Sequence, residues 1–269
     1  MKVEGEIYDN ITGATCKKKR DIHAVAKHFN DLLAEAIVEV NKEFGPKRLS
    51  KLPRQKEPLP TDTRQLSSYR TRIGTMLEYA ISTTMSKLLQ RRYGDRYLLT
   101  FATTHEYPDF YFRDNTLTSL LRIEMKAVDA ESDEQAARFS TPTVWIDDER
   151  DMLLLIGWEW TNLKKDDKVI GEYPHIFASL VLPAGEIAKE RDIRLKITGG
   201  KIEGEEVFVY SPRKGEYVPD PGNYGKFWRI IHSTRQISEL SEAMLEFMRF
   251  LEEVDKRSPR DRFRRRGKP

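Results

Sequence analysis

The chain has 269 residues, of which 39% are hydrophobic and 33% charged, a balance typical of one large globular domain or of a domain with an appendage. No apolar run is long enough to cross a bilayer, the N-terminus has no secretory signal pattern, and one cysteine excludes an internal disulfide, so we expect a cytoplasmic protein. The net charge is only +3, but two segments are strongly basic. Residues 46–72 hold eight Lys and Arg and two acids, and residues 256–269 hold eight Lys and Arg and one acid. Such basic segments favour a polyanionic partner.

Two long helices are predicted in the N-terminal third of the chain. Residues 21–44 have apolar side chains at helical spacing, with Asp21 as a possible cap at the start and Gly45-Pro46 after the end. Residues 46–64 contain four prolines and many cations, which indicates an irregular basic connection. A second helix is predicted over 65–93, where Gly94 ends it.

The periodicity then changes from helical to extended. Strands are predicted over 97–101, 109–113, 119–127, 151–160, 175–182 and 207–210, and a last helix over 236–254. The nearly continuous apolar run at 151–160 is typical of a strand buried on both faces. We therefore expect an α/β fold, with α+β as the alternative, in which helices flank a central mixed β-sheet. The predicted organisation is an N-terminal helix and connection (1–64), a core (65–255) and a basic tail (256–269).

Two acids and a lysine stand out on neighbouring strands. Glu124 and Lys126 are two residues apart and therefore point to the same face of their strand, and a hairpin would bring Asp109 beside Glu124. Adjacent carboxylates repel each other, so the site needs a lysine ammonium, a hard divalent ion or both. Carboxylates that bind Mg²⁺ beside a lysine suit phosphodiester hydrolysis.

Pro108-Asp109 followed by Glu124-Met125-Lys126 resembles the motif of the PD-(D/E)xK nuclease superfamily, which includes many type II restriction endonucleases. The resemblance covers about residues 70–160 and implies a restriction-endonuclease-like core, in which Asp109 and Glu124 bind Mg²⁺ and Lys126 is the catalytic lysine. It also implies that an acid from a preceding helix can join the site, and Glu78 is placed for this role. Gly74, one turn earlier, would leave room for another element to approach.

The order and context of the motif separate it from chance matches in the same chain. Pro219-Asp220 has no downstream partner, and Asp166-Asp167-Lys168 lies in a polar run. The alternative interpretation is that Glu124 and Lys126 form an ion pair on the solvated face of an edge strand. Glu106 competes with Glu78 for the additional ligand position, and His105 either assists the site or is a partly exposed polar residue.

The expected substrate is double-stranded DNA, cut by a homodimer because a two-fold enzyme matches a palindromic duplex. Segment 46–72, with Arg70 and Arg72, is the preferred DNA-contacting element, and the tail is either a DNA contact or a disordered segment. Loops 130–143 and 211–226 are candidates for base recognition through Arg138, Arg213 and Lys214. The alternatives are a structure-specific repair or recombination nuclease and a non-catalytic nucleic-acid-binding protein.

Overall fold

A computed structural model describes residues 21–44, 60–103, 106–132, 137–200, 207–211, 213–232 and 240–258. Five α-helices occur in these ranges: α1 (Ile22–Phe44), α2 (Thr63–Tyr93), α3 (Ala184–Arg194), α4 (Phe227–His232) and α5 (Glu242–Lys256). Seven β-strands accompany them: β1 (Tyr97–Phe101), β2 (Phe110–Asp114), β3 (Ser119–Asp129), β4 (Asp151–Lys165), β5 (Lys168–Pro183), β6 (Phe208–Ser211) and β7 (Glu216–Pro219). The basic residues before position 21, all of residues 46–59, His105 and the tail from 259 onward lie outside the described residues. None of the described helices is long and apolar enough to span a membrane.

Five strands form one mixed sheet in the order β1-β2-β3-β4-β5. The β3–β4 pair is parallel, and the other three pairs are antiparallel. Helices lie on both faces of the sheet, which confirms the predicted α/β class with a central mixed sheet. Strands β4 and β5 extend beyond the predicted bounds, because they continue as a hairpin to a tight turn at Asp166 and Asp167, both with positive φ.

Strand β4 separates two apolar layers. Met152, Leu154 and Ile156 belong to the layer that includes α1 and α2, whereas Leu153 and Leu155 belong to the layer that includes α3, α4 and α5. Side chains alternate across the pleat, so this strand is apolar on both faces, as its unbroken hydrophobic run predicted. The N-terminal helix α1 contributes its buried face to the same core as the sheet.

Helix α1 also covers the edge strand β5 with two asparagines. Asn30 donates Nδ2–H to the Val181 carbonyl at 3.0 Å and accepts the Val181 N–H at 2.7 Å. Asn41 makes the same pair of bonds with Ile176, at 2.8 and 3.0 Å. Each amide therefore replaces the strand that would otherwise pair here, and this protects an edge open to aggregation.

Capping residues define where α2 begins and ends. The Asp62 side chain accepts hydrogen bonds from the Arg64 and Gln65 amides at 3.0 and 2.9 Å, which satisfies two donors of the first turn. Gly94, with φ of 63°, ends the helix where the sequence predicted, and β1 follows after one short turn. The helix thus passes the β3 strand before the chain enters the sheet at β1.

The asparagine contacts lead to a stability prediction. We expect Asn30→Ala and Asn41→Ala each to lower the free energy of unfolding by about 2 kcal/mol, because each leaves a backbone N–H and C=O of β5 without a partner. The two sites share no contact residue, so the losses should add in the double variant. Urea denaturation measures both effects. The exposed Asn162→Ala is the matched control, and an equal loss in that control would contradict this role of α1.

Candidate active site

The candidate site forms beside the part of β3 that β2 does not cover. The pairing of these strands stops at Phe110 and Ile123, and β3 continues to Asp129 with β4 as its neighbour on the other side. At this open edge the Asp109 carboxylate accepts the Met125 N–H at 2.7 Å. A side chain thus replaces the missing strand, and it holds an acid against the middle of β3.

The structure brings Asp109, Glu124 and Lys126 together at that edge. The Lys126 ammonium lies 2.6 Å from Glu124 Oε1 and 3.8 Å from Asp109 Oδ2. Glu124 is only 8% exposed, and its second oxygen, Oε2, is buried without a hydrogen-bond partner. A buried carboxylate oxygen without a donor is costly, so this atom is an open ligand position for a cation.

Helix α2 adds Glu78 to the same electrostatic environment. Burial, followed by the charge of Asp109, raises the pKa of Glu78 to about 7 even though the nearby Lys126 lowers it. Gly74, one turn earlier, faces β3, but a Cβ built there would lie 3.7 Å from the Ala127 Cβ, which is an ordinary contact. The helix backbone thus lies close to β3 at Gly74, although a Cβ would also fit there.

Burial and charge act in opposite directions on the other two groups. Burial raises the pKa of Glu124 even though the Lys126 ammonium lowers it, and the neighbouring Asp109 carboxylate adds to the rise. Burial alone would lower the pKa of Lys126, but the charges of Glu124, Asp109 and Glu78 outweigh it and hold the pKa above its usual value. Lys126 is therefore an ammonium at neutral pH, which suits it to neutralise negative charge.

The donor set suits a hard divalent cation bound by few protein ligands. Within the described ranges, no three side chains of the His, Cys, Asp and Glu types are grouped closely enough to hold one metal ion. Glu78, Asp109 and Glu124 therefore do not form a three-carboxylate centre in this conformation. Mg²⁺, however, commonly uses one or two carboxylates and completes its shell with water and substrate phosphate. Asp109 and the free Oε2 of Glu124 could supply those two carboxylates.

A cleft of about 720 Å³ connects this site to basic side chains. Glu78 and Lys126 line it together with Arg70, Arg138 and Lys226. Arg70 is held by Asp129, whose Oδ2 accepts the Nε–H at 3.0 Å, and Arg138 donates to the Gly222 carbonyl at 3.3 Å. One acid, Glu78, and four cations line the cleft, and a predominantly basic lining suits a phosphodiester backbone.

Other predicted site residues lie elsewhere. Arg72 faces away from this cleft and lines grooves on the outer side of α2. Arg213 and Lys214 are exposed in the β6–β7 turn and do not line the cleft. Glu106 is exposed, and the pKa of Glu78 responds to Asp109, Lys126 and Glu124, which favours Glu78 over Glu106 as the third acid.

The sequence patterns did not identify two residues that contribute to the cleft, Lys226 and Asp129. Lys226 closes the 211–226 loop and pairs with Arg138 in an isolated β-bridge, so it reaches the cleft from a distant part of the chain. Asp129 ends β3 and orients Arg70. The basic composition of the loop hinted at Lys226, whereas no local pattern pointed to the Asp129–Arg70 pair.

Comparison with known proteins adds no relative. No protein-family model matches the chain, and no curated protein sequence matches it. The function of the chain must therefore be inferred from the chemistry of the cleft.

The raised pKa of Glu78 predicts how the stability of the metal-free protein depends on pH. The unfolded chain releases this proton near pH 4.5 and the folded protein near pH 7, so stability is lost as the pH rises between these values. Glu78→Gln removes the carboxylate, and we expect the variant to be more stable than the parent by about 2 kcal/mol at pH 8, with little difference at pH 4.5.

Urea denaturation at the two pH values, without divalent ions, measures the difference. Glu252→Gln, at an exposed position of α5, controls for the substitution itself. A gain in Glu78→Gln that is the same at both pH values would show that the carboxylate is not destabilised by its surroundings.

Proposed function

We propose that the protein is a Mg²⁺-dependent endonuclease that hydrolyses phosphodiester bonds of double-stranded DNA. The observation that supports this most strongly is the cluster of Asp109, Glu124 and Lys126 at the open edge of β3, with one carboxylate oxygen buried and unbonded. The adjoining basic cleft adds positions for the phosphates on either side of the scissile bond.

Each residue of the cluster has a distinct role in this proposal. Asp109 and Glu124 would hold Mg²⁺, and Glu78 would bind one of its water molecules or complete its ligand set. When bound, the ion supplies an activated water and polarises the phosphate. The Lys126 ammonium orients the attacking water or helps to deprotonate it, and stabilises the charge that builds on the phosphate.

The cations of the cleft position the substrate. Arg70 is fixed by Asp129 and Arg138 by its backbone contact, so both present guanidinium groups at low conformational cost. A sequence-specific type II restriction enzyme acting as a homodimer is the form suggested by the motif. A structure-specific repair or recombination nuclease is the second candidate, favoured by the grooves on the outer side of α2.

Substitution of the cluster tests catalysis separately from binding. We expect Asp109→Ala, Glu124→Ala and Lys126→Ala each to reduce Mg²⁺-dependent cleavage of plasmid DNA at least about a hundredfold, because each removes a metal ligand or the cation at the phosphate. Binding measured in Ca²⁺ should remain detectable, since the cleft cations are unchanged.

The chain offers a matched control in its second acid-x-lysine match. Lys168 is exposed at the start of β5, and Lys168→Ala should cleave like the parent. Full activity of Lys126→Ala would exclude the proposed site, and DNA binding without any cleavage by the parent protein would indicate the non-catalytic alternative.

The products of plasmid digestion separate the two kinds of nuclease. Discrete plasmid fragments would indicate a restriction enzyme, whereas smearing or a preference for branched DNA would indicate a repair enzyme.

A further inference from the structure

The outer side of α2 carries two shallow grooves next to the cleft. One has a volume of about 690 Å³ and is lined by Ser68, Thr71, Arg72, Thr75, Met76 and Tyr79. The other, of about 440 Å³, is lined by Pro60, Arg64, Gln65, Ser68, Tyr69 and Arg72. The two grooves share Ser68 and Arg72, and the first shares Thr71 and Thr75 with the cleft. They therefore form one continuous surface, the α2 track, which runs along α2 beside the cleft.

The α2 track is positively charged. The first half of the helix, from Thr63 to Leu77, contains three arginines and no acid. Arg70 is paired with Asp129, but among the described residues neither Arg64 nor Arg72 forms an ion pair. Their charges add to the basic segment that precedes the helix in the sequence, and the hydroxyls between them are suited to phosphate oxygens.

An aromatic ring lies at the end of the α2 track near the site. Tyr79 follows Glu78 directly and is 65% exposed, with Met76 and Thr75 beside it in the groove. A single exposed ring is common on protein surfaces, but this one lies in a groove together with Arg72 and the hydroxyls of Ser68 and Thr71. Base stacking on such a ring contributes about 1–3 kcal/mol per base and does not depend on sequence.

We propose that the α2 track binds unpaired nucleotides that continue from the duplex in the cleft, with one base stacked on Tyr79 and phosphates at Arg72 and Arg64. This inference rests on the proposed nuclease function and names its substrate class as duplex DNA with a single-stranded extension. Bases in a duplex are already stacked, so the Tyr79 ring can stack only on a base that has left the helix. The distance along α2 from Arg64 to Tyr79 is about 22 Å, which accommodates several nucleotides.

Binding measured in EDTA tests this inference without catalysis. The probes are a fluorescein-labelled blunt duplex and the same duplex with an eight-nucleotide single-stranded extension, with fluorescence anisotropy as the readout. We expect the parent to bind the extended duplex more tightly, and Tyr79→Ala to lose about 5- to 100-fold of affinity for it while binding the blunt duplex within twofold of the parent. Tyr79→Phe should bind like the parent, because the ring is kept.

Two further variants sharpen the test. For the extended duplex, log affinity falls as log salt concentration rises, and Arg72→Gln should make this slope less steep by about 0.7. This is the value for the loss of one phosphate contact on a single strand. Trp145→Ala is the matched control, because Trp145 is equally exposed at 65% and lines none of these grooves.

The results separate the two proposals. Equal affinity of the parent for both duplexes, no effect of Tyr79→Ala, or an equal loss in Trp145→Ala would each overturn the α2 track. If the expected binding pattern appears but Mg²⁺ yields no cleavage, the nuclease function fails and the binding surface stands. If Mg²⁺ yields cleavage and Tyr79→Ala binds and cleaves extended DNA like the parent, only the α2 track fails.

Discussion

The candidate site depends on a difference in length between two paired strands. β2 begins at Phe110, opposite Ile123, whereas β3 runs on to Asp129, so half of β3 has no strand on one side. An open backbone edge inside a protein needs hydrogen-bond acceptors, and the Asp109 carboxylate supplies one to Met125. The same contact places an acid beside Glu124 and leaves space that α2 lines with Glu78 and Arg70. The uncovered edge of β3 thus accounts for the position of Asp109 beside Glu124.

The resulting charge arrangement is balanced only in part. Lys126 bridges the Asp109 and Glu124 carboxylates, and the charges of all three residues act on Glu78. The raised pKa values of Glu78 and Glu124 indicate that burial and mutual repulsion are not fully offset. Electrostatic destabilisation of this kind is typical of functional sites. A cation that binds there would relieve the repulsion between the carboxylates. The two asparagine contacts of α1 and the two-sided apolar core stabilise the scaffold around it.

Local patterns in the sequence predicted most of the fold. Helical spacing and capping residues identified α1 and α2, and the continuous apolar run identified β4, because these signals depend on neighbours along the chain. The parallel β3–β4 pair and the Asn30 and Asn41 caps join segments that are distant in the sequence, and periodicity carries no information about them. Likewise, alternation placed Glu124 and Lys126 on one face, but only the fold reveals Lys226 in the cleft and the shared surface of Tyr79 and Arg72.

We propose that the open edge of β3 binds a divalent ion through Asp109 and Glu124. Diffraction from crystals soaked with Mn²⁺, a substitute for Mg²⁺ with a measurable anomalous signal, would locate this ion. We expect one anomalous peak within about 2.5 Å of Asp109 and of the Glu124 Oε2 atom, with the Lys126 ammonium displaced from between the two carboxylates. The absence of a peak at this edge, with Lys126 still bridging Asp109 and Glu124, would contradict it.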